Sequence, residues 1–462
     1  MSVAKAAPAP ERVLAAGTST ASEAPGERVG GADPLRDRRD EERGEVVAVA
    51  DGSVVADVVV VGAGVAGLAC AHDLAVAGLG VTVLEADDAV GGRMRTDRLD
   101  GFTVDCGFQV VNPAYPQLRR RLPARFVDPR PFLPGVLVHT GDRRVLLADP
   151  RRRPDAVASP LSGRLARPRD LAALAALGAR DALAPARTLK RAAERTTRAA
   201  LADAGFCDAF VEDFFRPFLS GVFLEDSLET SSRVFHLVWR SMLRGALCLP
   251  AFGVQSVPRA LAAALPEGTV RLGTPVSRLA DRGVLTADGT ELPARAVVVA
   301  TGAGAAARML PGLDVPAHRT VTTYYHVAPR SPLGQPVLLV DSRRRVLNTC
   351  VLSDVAPEYA PRGSALVATS VLGDDTEPER SAVVAALCEM YATDATAWDL
   401  LVARTVEGAL PAMPPPWPLT RTSRTGPGHY VCGDHRGTGS VQGALASGAR
   451  AAREVSRDLG GK

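Results

Sequence analysis

The most strongly patterned part of the chain begins at Ala56. Val58 to Val61 is an unbroken β-branched run, the pattern of a strand buried on both faces. Val65 to Ala77 is carried by helix formers, and Gly78 and Gly80 supply its stop. Val81 to Glu85 is a second apolar run of strand length, so the three segments form a compact β-α-β unit. From Leu161 to Ala204, Ala, Leu and Arg recur at helical spacing with Pro168 and Pro185 as breaks, which predicts a helical insert. Val270 to Ala300 alternates short strand-like runs around an Asp288-Gly289 hairpin signal. Thr320–Val327 and Val337–Val340 are expected as strands of a second sheet, Ser381–Leu401 as a helix, Tyr430–Cys432 as a last strand and Val441–Val455 as a last helix. Upstream of Ala56 the pattern is lost. Residues 1–55 are rich in Ala, Gly, Glu, Arg and Pro, cannot bury enough apolar area to offset ordering, and are expected as a disordered tail.

Composition narrows the class. Over 462 residues, 46% hydrophobic and 23% charged content is that of a globular chain. A net charge of +3 excludes a dedicated nucleic-acid binder. Lysine occurs only at positions 5, 190 and 462, so arginine supplies 51 of the 54 basic residues. The seven cysteines include no Cys-x-x-Cys pair, which argues against a zinc site or a disulfide framework and fits a reducing cytoplasm. No unbroken apolar stretch reaches the roughly 20 residues of a membrane span, and Arg38-Arg39 lacks the apolar segment a twin-arginine signal requires. A cytoplasmic protein is expected.

Between the first strand and helix stands Gly62-Ala63-Gly64-Val65-Ala66-Gly67. In such a Gly-x-Gly-x-x-Gly turn the first glycine permits the turn, the second lets backbone approach a pyrophosphate, and the third lets helix and strand pack closely. The helix N-terminus then offers N–H groups and a partial positive charge to phosphates. Glu85 ends the next strand 18 residues after Gly67, beside Ala86, where a carboxylate can accept ribose hydroxyls. Then follow Gly91-Gly92-Arg93 and Asp105-Cys106-Gly107-Phe108-Gln109-Val110. A nicotinamide site needs no second Gly-Gly-Arg element, whereas an extended FAD has to be followed by close backbone and a cation. Near the C-terminus Gly433-Asp434 ends the final strand, and Ser440-Val441-Gln442-Gly443-Ala444 opens the final helix.

With these elements the chain resembles the flavin amine oxidase superfamily, which includes protoporphyrinogen oxidases and phytoene-type desaturases. The resemblance spans most of residues 56–455, is strongest at both ends, and leans to the protoporphyrinogen-oxidase-like branch through Phe214–Phe223. It implies an α/β fold with a discontinuous Rossmann-like FAD-binding domain and a second, substrate domain of mixed sheet plus helices. The expected division gives FAD-binding parts to residues 56–110, 251–312 and 411–462, a substrate domain with helical insert to 111–250, and its sheet to 313–410. It also implies that Asp434 meets the ribityl chain, that Val441 to Ala444 lies against the flavin pyrimidine, that Val276 contacts adenine, and that Thr301 returns the chain to a non-covalent FAD. His435, beside Asp434, could in principle attach flavin covalently, but a dissociable FAD is expected.

The implied activity is an FAD-dependent oxidoreductase that moves hydride from a substrate C–H to flavin N5, with O2 or another acceptor reoxidising the flavin. The superfamily's amine oxidases commonly hold a water near N5 with a lysine, and with lysine only at 5, 190 and 462 no plausible one lies in the middle region where it would be expected. The expected substrate is therefore lipophilic, an isoprenoid, carotenoid or porphyrinogen-like molecule. Gln109, Tyr324 and Tyr325 are the candidate catalytic residues; His326, Arg216, His236, Trp239 and Trp417 are further cavity candidates, each with ordinary packing as its alternative. The Arg119–Arg121, Arg151–Arg153 and Arg343–Arg345 clusters are expected as solvated faces, with docking to an anionic membrane as the alternative. Competing functions are an amine oxidase acting on a C–N bond, an NAD-linked dehydrogenase, and a non-enzymatic prenyl binder of the GDP-dissociation-inhibitor kind.

Overall fold

The computed structural model describes residues 56–122, 128–162 and 164–460; the tail expected over residues 1–55 lies outside them. The β-branched run becomes the strand Ala56–Val61, whose Val58 to Val61 are at most 3% exposed because both faces are covered. It sits in a six-stranded sheet ordered Arg424–Gly426, His429–Val431, Ala294–Val299, Ala56–Val61, Val81–Leu84, Val270–Arg271. Every neighbouring pair is parallel except the outermost Arg424–Gly426 with His429–Val431. The strands come from three separated stretches of chain, which is the discontinuous α/β architecture expected.

The opening helix, Val65–Val76, and the closing helix, Val441–Asp458, pack directly on each other. Gly448 makes this possible: a Cβ there would lie 2.1 Å from the Ala66 carbonyl oxygen. Around that crossing Leu68, Leu74, Val298, Leu445 and Val455 form one buried core with Val60. The two ends of the described chain are thus joined by backbone-close packing.

A seven-stranded sheet forms the second layer, ordered Asp399–Pro411, His318–Ala328, Ala365–Leu372, Asn348–Val351, Leu338–Asp341, Gly135–His139, Arg144–Ala148. It is antiparallel apart from the Leu338–Asp341 and Gly135–His139 pair. The helix expected to run to Leu401 ends instead at Tyr391, with Ala392 left-handed at φ +52°. Beyond a short turn, Asp399–Pro411 is a strand along the edge of His318–Ala328. Its Leu, Ala, Arg and Glu favour helix locally, and the long pairing partner overrides that preference. Pro168 is likewise not a break but the first residue of the helix Pro168–Leu183, where its missing N–H costs nothing.

The helical insert packs Pro168–Leu183 against Ser232–Arg244 and buries Phe206, Phe210, Phe214, Phe215, Phe218 and Trp239 together. Asp105 ties the layers. Its carboxylate accepts from Thr96 Oγ1 (2.6 Å), Val254 N (3.0 Å) and Tyr359 Oη (2.8 Å), and its carbonyl accepts from Tyr325 Oη at 2.8 Å. Burial pushes this carboxyl up to about 6 even though those donors pull the other way.

Candidate active site

The Gly62–Gly67 turn sits at the carboxyl ends of the parallel strands, the place where open α/β sheets receive ligands. Gly62 is left-handed at φ +105°, and a Cβ there would crowd the Ala300 carbonyl at 3.1 Å. Thr301 follows directly, with its backbone nitrogen 3.3 Å from that Cβ position. Gly67 is needed for packing, since its Cβ would lie 2.1 Å from the Gly62 carbonyl oxygen. Gly64 differs from both. It caps the opening helix in extended conformation, no side chain caps that helix, no acidic residue occupies its first turn, and a Cβ at Gly64 would meet nothing within 4 Å. Val65 and Ala66, both buried, are the first residues of this helix, whose uncapped N-terminal N–H groups suit an anion.

Glu85, 8% exposed, brings its carboxylate to the same turn. Oε2 accepts from Ala63 N at 2.6 Å and Oε1 from Asp87 N at 3.2 Å; Ala86 between them is exposed. Glu85 also binds the segment that leads to Val276, because Thr274 N donates to its carbonyl at 2.8 Å. Gly91 bridges to Gly64 and donates to the Ala63 carbonyl at 3.0 Å. Gly92, at φ +56°, is exposed beside them.

Arg93 joins the start of the chain to its finish. Its Nη2 lies 2.8 Å from Asp434 Oδ1, and Nη1 donates to the carbonyls of Ala409 (2.7 Å) and Gly408 (3.2 Å). Asp434 is buried, which alone would raise its carboxyl, but the Arg93 charge and hydrogen bonds from Arg93 and His435 N hold it below the ordinary carboxylate range. The Asp434 charge in turn raises Arg93 further. The pair therefore stays ionised at neutral pH, with Arg93 still partly exposed. Gln109 donates from Nε2 to the Arg93 carbonyl at 2.6 Å, and Phe108 N donates to Thr323 Oγ1 at 3.2 Å, so the Gly107–Val110 segment is fixed between Arg93 and the second sheet. On the closing helix Ser440 Oγ accepts from Gly443 N (3.0 Å) as the N-cap. Val441 and Gln442 stay partly exposed there, Ala444 turns into the core, and Gln442 Oε1 accepts from Gln117 N at 3.0 Å.

Other sequence candidates lie elsewhere. Tyr324 and Tyr325 are both fully buried: Tyr324 packs with Val383, Leu387 and Met390, and Tyr325 serves the Asp105 hub. His236 pairs with Asp181 at 2.7 Å, and Trp239 stacks in the aromatic insert. Arg216 pairs with Glu212. Trp417 donates from Nε1 to the Gly437 carbonyl at 2.8 Å and carries the Arg421 guanidinium over its ring. His326 and His435 are buried without ring partners among the described residues, and burial pushes each down to about 4, leaving both neutral. Every arginine of the 151–153 and 343–345 clusters is ion-paired, for example Arg151 to Asp149 and Arg345 to Asp341, whereas in Arg119–Arg121 Arg121 is buried against Asp73 and Arg119 and Arg120 are exposed. Among the described residues no helix is long and apolar enough to cross a membrane.

The carbonyls of Gly408 and Ala409 and the hydroxyl of Thr323 escaped the sequence reading. The first two sit on the strand read partly as helix; the β-branched pair Thr405-Val406 was its one local signal.

An FAD fits this arrangement: an open helix N-terminus for two phosphates, a carboxylate at the adjacent strand end for ribose, and an Arg93–Asp434 pair further along. Comparison with known proteins agrees. The family model for flavin-containing amine oxidoreductases matches residues 65–456. The chain is 50% identical over 62 residues to putrescine oxidase of Kocuria rosea, covering 13% of each. It is 48% identical over 61 residues to protoporphyrinogen oxidase 2 of Arabidopsis thaliana, covering 13% of this chain and 12% of that one. Such matched stretches span only 6% to 15% of the length of the curated relatives. Among solved structures, an oxidoreductase from Methanosarcina mazei superposes with TM-score 0.67 at 19% identity, covering 87% of this chain and 99% of the other.

Proposed function

The chain belongs to the flavin-containing amine oxidoreductases, and we propose that within this family of FAD-dependent oxidoreductases it dehydrogenates a lipophilic, conjugated substrate of the isoprenoid, carotenoid or porphyrinogen-like kind. FAD, when bound, supplies the two-electron acceptor for the substrate C–H bond. The chain's own residues bind and orient it. The Gly62–Gly67 turn and the N–H groups at Val65 and Ala66 receive the pyrophosphate, Glu85 the ribose hydroxyls, and the backbone at Val276 the adenine. Arg93, fixed by Asp434, presents a cation beside the cofactor's path, while Gln109 and the Ser440–Ala444 turn bound its far end.

One observation carries the substrate class. Lys190 is the lone lysine among the described residues and is exposed on the helix Ala186–Arg191 in the insert, so among the described residues no lysine stands beside Gln109 to hold a water at the ring. The side chains that flank Gln109 are instead apolar: Phe108 and Val110 pack against the buried cluster that contains Phe102, Leu249 and Leu352, and Phe108 meets Phe132 edge-on at 6.4 Å. Such walls favour a substrate bound by desolvation over a cationic amine.

The test is anaerobic titration of the FAD-loaded protein with three substrate classes: porphyrinogens, polyenes such as phytoene, and primary or secondary amines. Bleaching of the flavin by a member of the first two classes supports the proposal. Bleaching by amines alone would replace it with C–N oxidation.

A further inference from the structure

Behind the turn that carries Asp434 lies a cavity of about 600 Å3 that the flavin reading does not use. Its lining includes Arg421, Arg436, His429 and Thr425 together with the apolar Leu279 and Met309. Arg436 is 7% exposed. Its Nη2 donates to the Thr422 carbonyl at 2.9 Å and its Nη1 to the Asp314 carbonyl at 3.5 Å, while Nε has no partner among the described residues. Arg421 donates from Nη1 to the His435 carbonyl at 2.7 Å. A third guanidinium, Arg450, donates to the carbonyls of Arg421 (2.8 Å) and Arg436 (3.2 Å).

Three cations thus share one hydrogen-bonded cluster in which they donate to backbone carbonyls. Two carboxylates stand near. Asp314 lines the cavity but is exposed, and it meets Arg436 through its carbonyl. Glu454 is already engaged by Ser423 N at 2.8 Å, Arg424 N at 3.1 Å and the Thr422 hydroxyl at 3.2 Å. No ion pair of Arg421, Arg436 or Arg450 forms among the described residues. Burial lowers all three guanidinium groups from their ordinary value, and the nearby Asp314 and Glu454 charges offset this only in part. A planar guanidinium fork matches phosphate oxygens, and the volume suits a small molecule.

We propose that this cavity binds a small organic phosphate, its anionic head held by Arg421 and Arg436 and its apolar body laid against Leu279 and Met309. The site is separate from the dinucleotide turn but touches its machinery, since Arg436 belongs to the same Asp434–Arg436 turn as the residue that pairs with Arg93.

Isothermal titration of the FAD-loaded protein in phosphate-free buffer tests this, with geranyl diphosphate, inorganic pyrophosphate and geraniol as probes. FAD loading keeps the dinucleotide turn out of the measurement. Geranyl diphosphate is expected to bind at one per chain, pyrophosphate more weakly, and geraniol at least ten-fold more weakly than geranyl diphosphate. Arg421→Gln should weaken geranyl diphosphate at least ten-fold. Thr425→Trp, at the exposed rim, should weaken geranyl diphosphate several-fold by obstructing part of the cavity while leaving every guanidinium in place. Because Arg421 lies 4.5 Å from the Trp417 ring centroid, binding should also change tryptophan fluorescence in the wild type. Flavin content should be unchanged in both variants. Absence of heat with both diphosphates, or wild-type affinity in both variants, would overturn the proposal; equal affinity for geraniol would reassign the binding to an apolar site.

Discussion

Gly64→Val separates cofactor binding from folding. Gly64 has φ −69° and ψ 170°, a conformation open to any L-residue, and an added Cβ meets nothing within 4 Å. The apo fold should therefore keep its stability, or gain roughly 0.4–1 kcal/mol through a less flexible unfolded chain, as for Gly→Ala at compatible sites. What the branched side chain removes is the close approach of a pyrophosphate to the opening helix. Loss of two hydrogen bonds to a charged group, at about 1.5–3 kcal/mol each, amounts to about 3–6 kcal/mol, or a rise in Kd of about a hundred- to ten-thousand-fold. Gly67→Ala is the contrasting variant: its Cβ would stand 2.1 Å from the Gly62 carbonyl, so the fold itself should suffer. Flavin-to-protein ratio after gel filtration and thermal melting of the flavin-free proteins read the two effects separately. A Gly64→Val protein that retains full flavin at wild-type Kd would refute the reasoning.

Glu85→Ala should weaken FAD binding by about 1–3 kcal/mol and also strand the Ala63 N–H; Glu85→Gln, which keeps an acceptor for Ala63, should retain more stability, and equal melting of the two would contradict this. Gly448→Val should destabilise the protein with or without cofactor, since the Ala66 carbonyl blocks its Cβ; an unchanged melting temperature would count against the helix crossing. Asp105 binds its proton more tightly when folded, near 6 against about 3.9 unfolded. Its share of the stability is thus fully present below about 3.9 and lost as pH rises to about 6, on the order of 3 kcal/mol. His326 and His435, held near 4, act oppositely in that window, so the signature lies in the difference between wild type and Asp105→Asn from denaturant titrations. A difference that does not vary between pH 4 and 6 would rule this out.

Where local pattern and tertiary placement agree, the sequence was sufficient. The strand Val58–Val61, the glycine turn and the place of Glu85 at the next strand's end could be read because all three lie within one β-α-β unit. The closing turn was readable for the same reason, as Ser440 caps its helix locally. Tyr324 and Tyr325 were not: alternation puts them on opposite faces of one strand, but only the helix Glu377–Tyr391 and the Asp105 hub determine that both faces are covered. The strand Asp399–Pro411 was hidden behind helix-favouring residues, and with it the carbonyls that fix Arg93. The Arg421–Arg436 cavity is assembled from residues whose common feature, the shortage of carboxylates around them, exists only in the folded chain.

That FAD is held by both ends of the described chain together is tested most directly by hydrogen–deuterium exchange of the flavin-free and FAD-loaded protein. Loading should slow exchange simultaneously in peptides covering Gly62–Gly67 and in those covering Asp434–Ala444. Protection confined to one of these regions, with the other unchanged at saturating FAD, would contradict the account.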